Sequence, residues 1–292
     1  MSAPALGPEE VVDLGDVRLC VQTAGDPDDP VALLIAGAAS PMTAWDDRFV
    51  LGLAAARRFV VRYDHRDTGR SSTGAPGSPD YTARDLQRDP LRILDHLGVE
   101  RAHLVGVSMG GGIVQEIAAR HPERVLSATL VSTSPAGRRR DDTPLPGPTP
   151  AVAATFSDPA PAPDPGDPEA VVAALVEGER PFAGAVGFDE DAARDEARHV
   201  VRRTEDPAAA SNHFLVVGGE EDGDAFRLAD VTVPTLVVHG TTDPLFPLEH
   251  GRALAAEIPG ARLLELTGGG HEHPRDPHLE KILRAVVDHT AP

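Results

Sequence analysis

The stretch "HLVGVSMGGG" (His103–Gly112) carries one serine between glycines, directly after an apolar run. Within it, Gly106-Val107-Ser108-Met109-Gly110 is a G-x-S-x-G, whose setting decides its meaning. Upstream, "AHLVGVS" (Ala102–Ser108) reads as a buried strand; downstream, Met109–Arg120 has helical spacing. A strand that turns into a helix around a single serine is so sharp that side chains two positions either side would collide, hence Gly106 and Gly110. Gly111 and Gly112 are expected to let the helix approach the sheet closely. The same turn aims the N–H of Met109, at a helix N-terminus, toward negative charge forming near Ser108.

The rest of the chain repeats this strand–helix rhythm. "VALLIAG" (Val31–Gly37), "FVVRYD" (Phe59–Asp64), "LSATLVSTS" (Leu126–Ser134), "VPTLVVHG" (Val233–Gly240) and "ARLLELTG" (Ala261–Gly268) are apolar runs of strand length. Two shorter runs around Gly15-Asp16, within Val11–Gly25, predict an opening hairpin. Helical patterns fall at 44–57, 85–97, 109–120, 248–257 and 278–289, and Pro90 predicts a kink or a late start in the second of them. Alternation of this kind predicts an α/β fold, a mainly parallel sheet with helices on both faces. The rhythm breaks between Ser134 and Ala229. There a Pro-dense run (143–170) cannot be regular throughout, while 170–180 and 189–204 read as helices with charged outer faces. Phe182, Phe188, Phe214 and Phe226 suggest that this insertion packs on something.

Lys and Arg number 27 against 46 Asp and Glu, a formal charge of -19, which disfavours a nucleic-acid partner. Cys20 is the only cysteine, so an intramolecular disulfide and a Cys-rich metal site are excluded. The opening "MSAPALGPEE" lacks a basic residue before an apolar stretch, and no apolar run approaches the ~18 residues of a membrane span. The expectation is a cytoplasmic protein with a small-molecule substrate, no membrane or nucleic-acid partner, and no cofactor or metal. Oligomeric state is open.

A serine hydroxyl at its ordinary pKa needs a base, and the base needs an orienting partner. On this architecture they follow the serine in the order acid, histidine. "VVHGTTDPLFP" supplies Asp243 just beyond one strand, and "LTGGGHEHP" supplies His271 just beyond the next. The stretch 129–137 holds no Asp or Glu, which favours Asp243 as the acid. His273 competes with His271, but Gly268–Gly270 free the backbone just before the latter. A second oxyanion donor is expected in Ala36-Gly37-Ala38-Ala39, at the N–H of Ala38. "RYDHRDTGRSS" (Arg62–Ser72) offers His65 and Asp67, read more simply as an ion-paired brace than as catalysts. His239 is expected to pack in a strand, His121 to cap a helix, and His213 to lie at the surface.

With these residues placed, the chain resembles an α/β-hydrolase, its core at 1–134 and 229–292 and its insertion, 135–228, the helical cap of that family. "RYDHRDTGRS", "GVSMGG", "VTVPTLVV" and "GGGHEH" are similar to bacterial aclacinomycin methylesterase-type enzymes. The resemblance implies an esterase that cleaves methyl esters of aromatic polyketides. It implies Ser108 as nucleophile, Asp243 as acid, His271 as base, and Ala38 and Met109 as oxyanion donors. Many relatives have His-Gly where this chain has Ala36-Gly37, a change that leaves a backbone donor in place. Two alternatives stay open on the residues: a cofactor-free haloperoxidase or perhydrolase with the same Ser-Asp-His set, and a binding protein that kept the pocket. Epoxide hydrolases and dehalogenases of this fold carry Asp at the serine's position.

Overall fold

"VALLI" offers no polar side chain to water, and in the computed structural model all five residues are buried in a central strand, β3 (Val31–Ile35). The structure describes residues 4–217 and 226–291; the stretch 218–225 of the expected cap lies outside it. β1 (Leu6–Asp13) and β2 (Arg18–Ala24) form the opening hairpin. β4 (Phe59–Tyr63), β5 (Ala102–Val107), β6 (Val125–Val131), β7 (Thr235–Gly240) and β8 (Arg262–Leu266) complete the sheet. Among the described residues it has eight strands in the order β1-β2-β4-β3-β5-β6-β7-β8, antiparallel at β1/β2 and β2/β4 and parallel elsewhere.

Because neighbouring strand residues face opposite ways, the sheet feeds two cores. Leu33, Ile35, Leu104, Leu130 and Val237 pack with α2 (Ala83–His96) and α3 (Met109–Arg120). Leu34, Val105, Val107, Val131 and Val238 pack with α1 (Asp47–Ala55) on the other face. Each such side chain, fully buried, stabilises the fold by about 1.5–3 kcal/mol. This is the mainly parallel sheet with helices on both faces that the alternating pattern predicts.

Two helix starts differ from the sequence reading. Helix α1 begins at Asp47, after Trp45 has taken an extended conformation and Asp46 has capped Arg48 N–H. Helix α2 starts early rather than late: Thr82 and Asp85 form a reciprocal capping box, and the helix then runs through Pro90.

Between β6 and β7 lie α4 (Pro150–Ser157), α5 (Pro168–Glu179), α6 (Glu190–Arg203) and α7 (Asn212–Val217). Helix α4 interrupts the Pro-dense run, started by Pro150 at its first position and by the Thr149 cap. Helices α5 and α6 share a small apolar core of Val172, Val176, Ala193 and Ala197, with Leu175, Phe188 and Val201 packed against it. Helices α8 (Glu249–Glu257) and α9 (Leu279–His289) end the fold. Among the described residues no helix is long and apolar enough to cross a membrane.

Candidate active site

The crossover from β3 through α1 to β4, followed by β5 on the other side of β3, makes a switch point in the strand order. The carboxyl ends of β3 and β5 part there and leave a crevice. Ser108 sits at its edge with φ 52°, a conformation that costs a non-glycine residue energy. Its amide donates to Val131 O at 3.0 Å, and its carbonyl accepts from Thr133 Oγ1 at 2.7 Å, so both neighbouring peptides are held. Backbone sterics force the glycines: a Cβ on Gly106 would come within 2.3 Å of Gly110 O, and one on Gly110 within 2.2 Å of Ile35 O. A Cβ on Gly111 would strike the Thr133 side chain. Gly112 is different: a Cβ there meets only Ala136 at 3.6 Å, an ordinary contact, so it does not serve close approach.

The structure brings Asp243 and His271 to this serine. His271 Nε2 lies 2.9 Å from Ser108 Oγ, and His271 Nδ1 lies 3.0 Å from Asp243 Oδ2. A carboxylate can only accept, so Nδ1 carries the hydrogen and the Nε2 lone pair faces the hydroxyl. Asp243 Oδ1 accepts from Leu245 and Phe246 N–H at 2.9 Å each, which fixes the carboxylate plane. Burial pushes the Asp243 carboxyl up. The charge His271 bears when protonated, together with the hydrogen bonds from His271 and Phe246, outweighs that and holds it below the usual range. His239 is packed beneath, donating from Nε2 to Phe246 O at 2.7 Å and lying 3.6 Å from Asp243 Oδ2.

The glycines before His271 do more than free the backbone. His271 N–H donates to Phe182 O at 2.9 Å, and Val186 N–H donates to Gly268 O at 3.0 Å. A Cβ on Gly270 would lie 2.3 Å from Gly184 N, and one on Gly184 2.4 Å from Gly268 O. The insertion is thus pressed backbone to backbone against the histidine loop, and glycine on both sides makes the approach possible.

His273 borders the same hollow as Ser108 but is turned to other partners. It is half-buried, edge-on to Trp45, and its Nε2 accepts from Gly37 N–H at 3.4 Å. His65 Nε2 donates to Ala36 O at 3.1 Å. His213, expected at the surface, is instead completely buried: Nδ1 accepts from Ala39 N–H at 2.9 Å and Nε2 donates to Arg66 O at 2.7 Å. Nothing local in "SNHF" signals this, because its partners lie 147 and 174 residues away. Among the described residues no acceptor takes the N–H of Ala38, which lies between these held groups. Met109 opens α3, where an N–H has no intrahelical acceptor.

The 62–72 loop is a brace and a socket together. Asp64 is paired with Arg203 of α6 at 2.6 Å, Arg66 with Asp89 at 2.8 Å, and Asp67 accepts from Tyr81 Oη and Asn212 Nδ2. His121 ends α3 at an exposed C-cap, as expected.

Two hollows meet at Ser108. One, of 450 Å³, is bounded by Leu86, Met109, Ile113, Phe226 and Phe246. The other, of 360 Å³, is bounded by His271, Phe182, Leu175, Glu179 and Arg275. Ala38, Phe156, Phe214 and Leu245 belong to both. A larger cleft of 710 Å³, between Arg48, Arg62 and α6, contains none of Ser108, Asp243 and His271.

A serine elbow at a switch point, on this sheet, defines a class of protein, and the comparisons agree with it. Residues 33–273 match the family model described as alpha/beta hydrolase fold, and the chain belongs to that family. Rhodomycin D methylesterase DauP of Streptomyces sp. (strain C5) is 33% identical, with 97% of this chain and 98% of that one covered. The methylesterase DnrP of Streptomyces peucetius is equally similar, 33% over the same shares. Among solved structures, the enol-lactonase from Burkholderia xenovorans LB400 superposes with a TM-score of 0.70, at 25% identity and with 97% and 99% of the two chains covered.

Proposed function

We propose that this chain is a carboxylic ester hydrolase working through an acyl-enzyme, and that its substrate is the methyl ester of a flat, apolar, polyketide-type small molecule. The single observation that carries the reading is the relay of 2.9 and 3.0 Å contacts from Ser108 through His271 to Asp243. In this reading His271 takes the hydroxyl proton as Ser108 Oγ attacks the ester carbonyl. The oxyanion is received by the N–H groups of Ala38 and Met109, each worth about 100- to 1000-fold in rate. His271 then gives the proton to the departing alkoxide, and a water deprotonated by the same nitrogen releases the acid. Asp243 keeps the imidazole in the required tautomer.

In this reading the two halves of the substrate take one hollow each. The leaving oxygen must reach His271, which borders only the 360 Å³ hollow, so the alcohol departs there. The acyl portion takes the 450 Å³ hollow, whose aromatic and aliphatic walls suit a polycyclic ring system. The methylesterases of Streptomyces, similar over almost the whole chain, support a small alcohol and a large acyl group. The cap in this reading spans 135–228.

The test is hydrolysis of rhodomycin-type methyl esters beside p-nitrophenyl butyrate, with acid and methanol quantified. Ser108→Ala is expected to lower kcat on the order of a million-fold while the circular dichroism spectrum stays unchanged. Turnover that persists in Ser108→Ala refutes the mechanism. Bromination with acetate and peroxide that outpaces ester cleavage points to a perhydrolase instead.

A further inference from the structure

The loop after β3 is held by three imidazoles in an unusual way. Ala36 C=O and Gly37 N–H belong to one peptide unit, and His65 and His273 hold its two ends. The peptide between Ala38 and Ala39 is held at its N–H by His213 and, at its carbonyl, by Ser40 Oγ at 3.4 Å. Between these two clamped planes lies the one that carries the Ala38 N–H. Ala39 has φ 58°, a left-handed conformation that costs an alanine about 1–2 kcal/mol. The hydrogen bond that Ala39 donates to His213 opposes relaxation of that residue, together with the turn that Ser40 N–H closes on Gly37 O at 3.3 Å. The Arg66 carbonyl can only accept, so His213 Nε2 bears the hydrogen and the Nδ1 lone pair meets Ala39. Burial keeps the ring neutral, as an acceptor must be.

We infer that His213 is a positioning residue for the oxyanion hole: from α7 of the insertion it fixes the Ala39 amide and so aims the Ala38 N–H at the charge developing on the substrate. This rests on the acyl-enzyme reading above and goes beyond it, because it ties rate acceleration to the seating of a segment that carries no reacting group. The neighbouring contacts make that seating firm. Asn212 donates to Asp67 and to Ala75 O and accepts from Gly77 N–H, so the residue beside His213 is itself locked.

Two substitutions in the full chain separate the two bonds of the ring. His213→Asn keeps an acceptor near Nδ1; His213→Gln reaches toward Arg66 O but offers nothing at the Nδ1 position. H213Q is expected to lower kcat for p-nitrophenyl butyrate about 10- to 100-fold with KM little changed, short of the cost of deleting a donor outright. H213N is expected to recover most of the loss. The Ki of a trifluoromethyl ketone, which forms a tetrahedral adduct on the serine, should rise in H213Q by the factor that kcat falls. Equal losses in both variants, or a raised KM with kcat intact, overturn the assignment. H213A with and without free imidazole covers the case in which H213Q does not fold: restored kcat supports the role, and no restoration overturns it. Ser108→Ala, assayed alongside, keeps the two readings apart. If it is inactive while H213Q equals wild type, only the role of His213 falls; turnover that survives it removes both.

Discussion

The sheet and the insertion reach Ser108 from opposite sides and are held by different forces. Strands β3, β5, β6 and β7 arrive on apolar packing, with Leu33, Leu34, Val105 and Val131 each excluded from water. Among the described residues the insertion has a small apolar core of its own in α5 and α6, sets Val216 and Phe226 against the core of the sheet, and is further attached through buried polar contacts. Arg203 meets Asp64 and Glu9, Asn212 meets Asp67, and His213 meets Ala39 and Arg66. Apolar burial is non-directional and tolerant of small shifts, whereas a buried hydrogen bond fails once its partner leaves. The sheet therefore supplies stability. The insertion supplies registry, at the same 64–67 loop that stands behind the turn after β3.

The sharpest way to probe the sheet side leaves both parts folded. Asp243→Asn keeps shape but removes the charge that selects the His271 tautomer, and kcat is expected to fall about 10⁴-fold. A loss below about tenfold in steady-state ester hydrolysis excludes Asp243 from the relay. On the insertion side, Arg203→Met strands Asp64, which is wholly buried, and is expected to cost about 3–5 kcal/mol in urea denaturation. The double variant Arg203→Met, Asp64→Asn should regain much of it, since no bare charge remains; a double variant as unstable as the single one refutes the pairing argument.

Acid should test the seam between the two parts. Burial lowers His65 and His273 from an ordinary 6.5 to about 3, and burial lowers His213 as well. Between those values the unfolded chain binds protons that the folded chain does not. The stabilisation from neutral rings is therefore complete above 6.5 and lost as pH falls toward 3. His65 and His273 each contribute about 1.4 kcal/mol per pH unit over that window, and His213 acts in the same direction. A urea midpoint that stays level from pH 6.5 to 4.5 contradicts this. The smallest effect belongs to the elbow helix. Gly112→Ala meets no close atom and should stabilise α3 by up to about 1 kcal/mol. The same change at Gly110, 2.2 Å from a carbonyl, should be strongly destabilising. Similar thermal shifts at the two positions contradict the steric account of the elbow.

Much of this was legible because it is local. The elbow pattern, the apolar runs and the loops that end in Asp243 and His271 each lie within about ten residues, where periodicity and turn sterics act directly. Within the Pro-dense run, Pro150 serves as the first residue of α4, a position that proline density alone does not single out. From the sequence His213 reads as a surface residue, because its solvent exposure depends on partners that only folding brings near.

The sequence by itself determined the alternating α/β framework, since strand and helix periodicity and the glycine demands of a tight turn are properties of neighbouring residues. The tertiary structure alone decided that three imidazoles clasp the turn after β3 and that the insertion docks through Arg203, Asn212 and His213. The physical reason is that a buried polar group must find its partner wherever the fold places one, and the distance along the chain does not encode that choice.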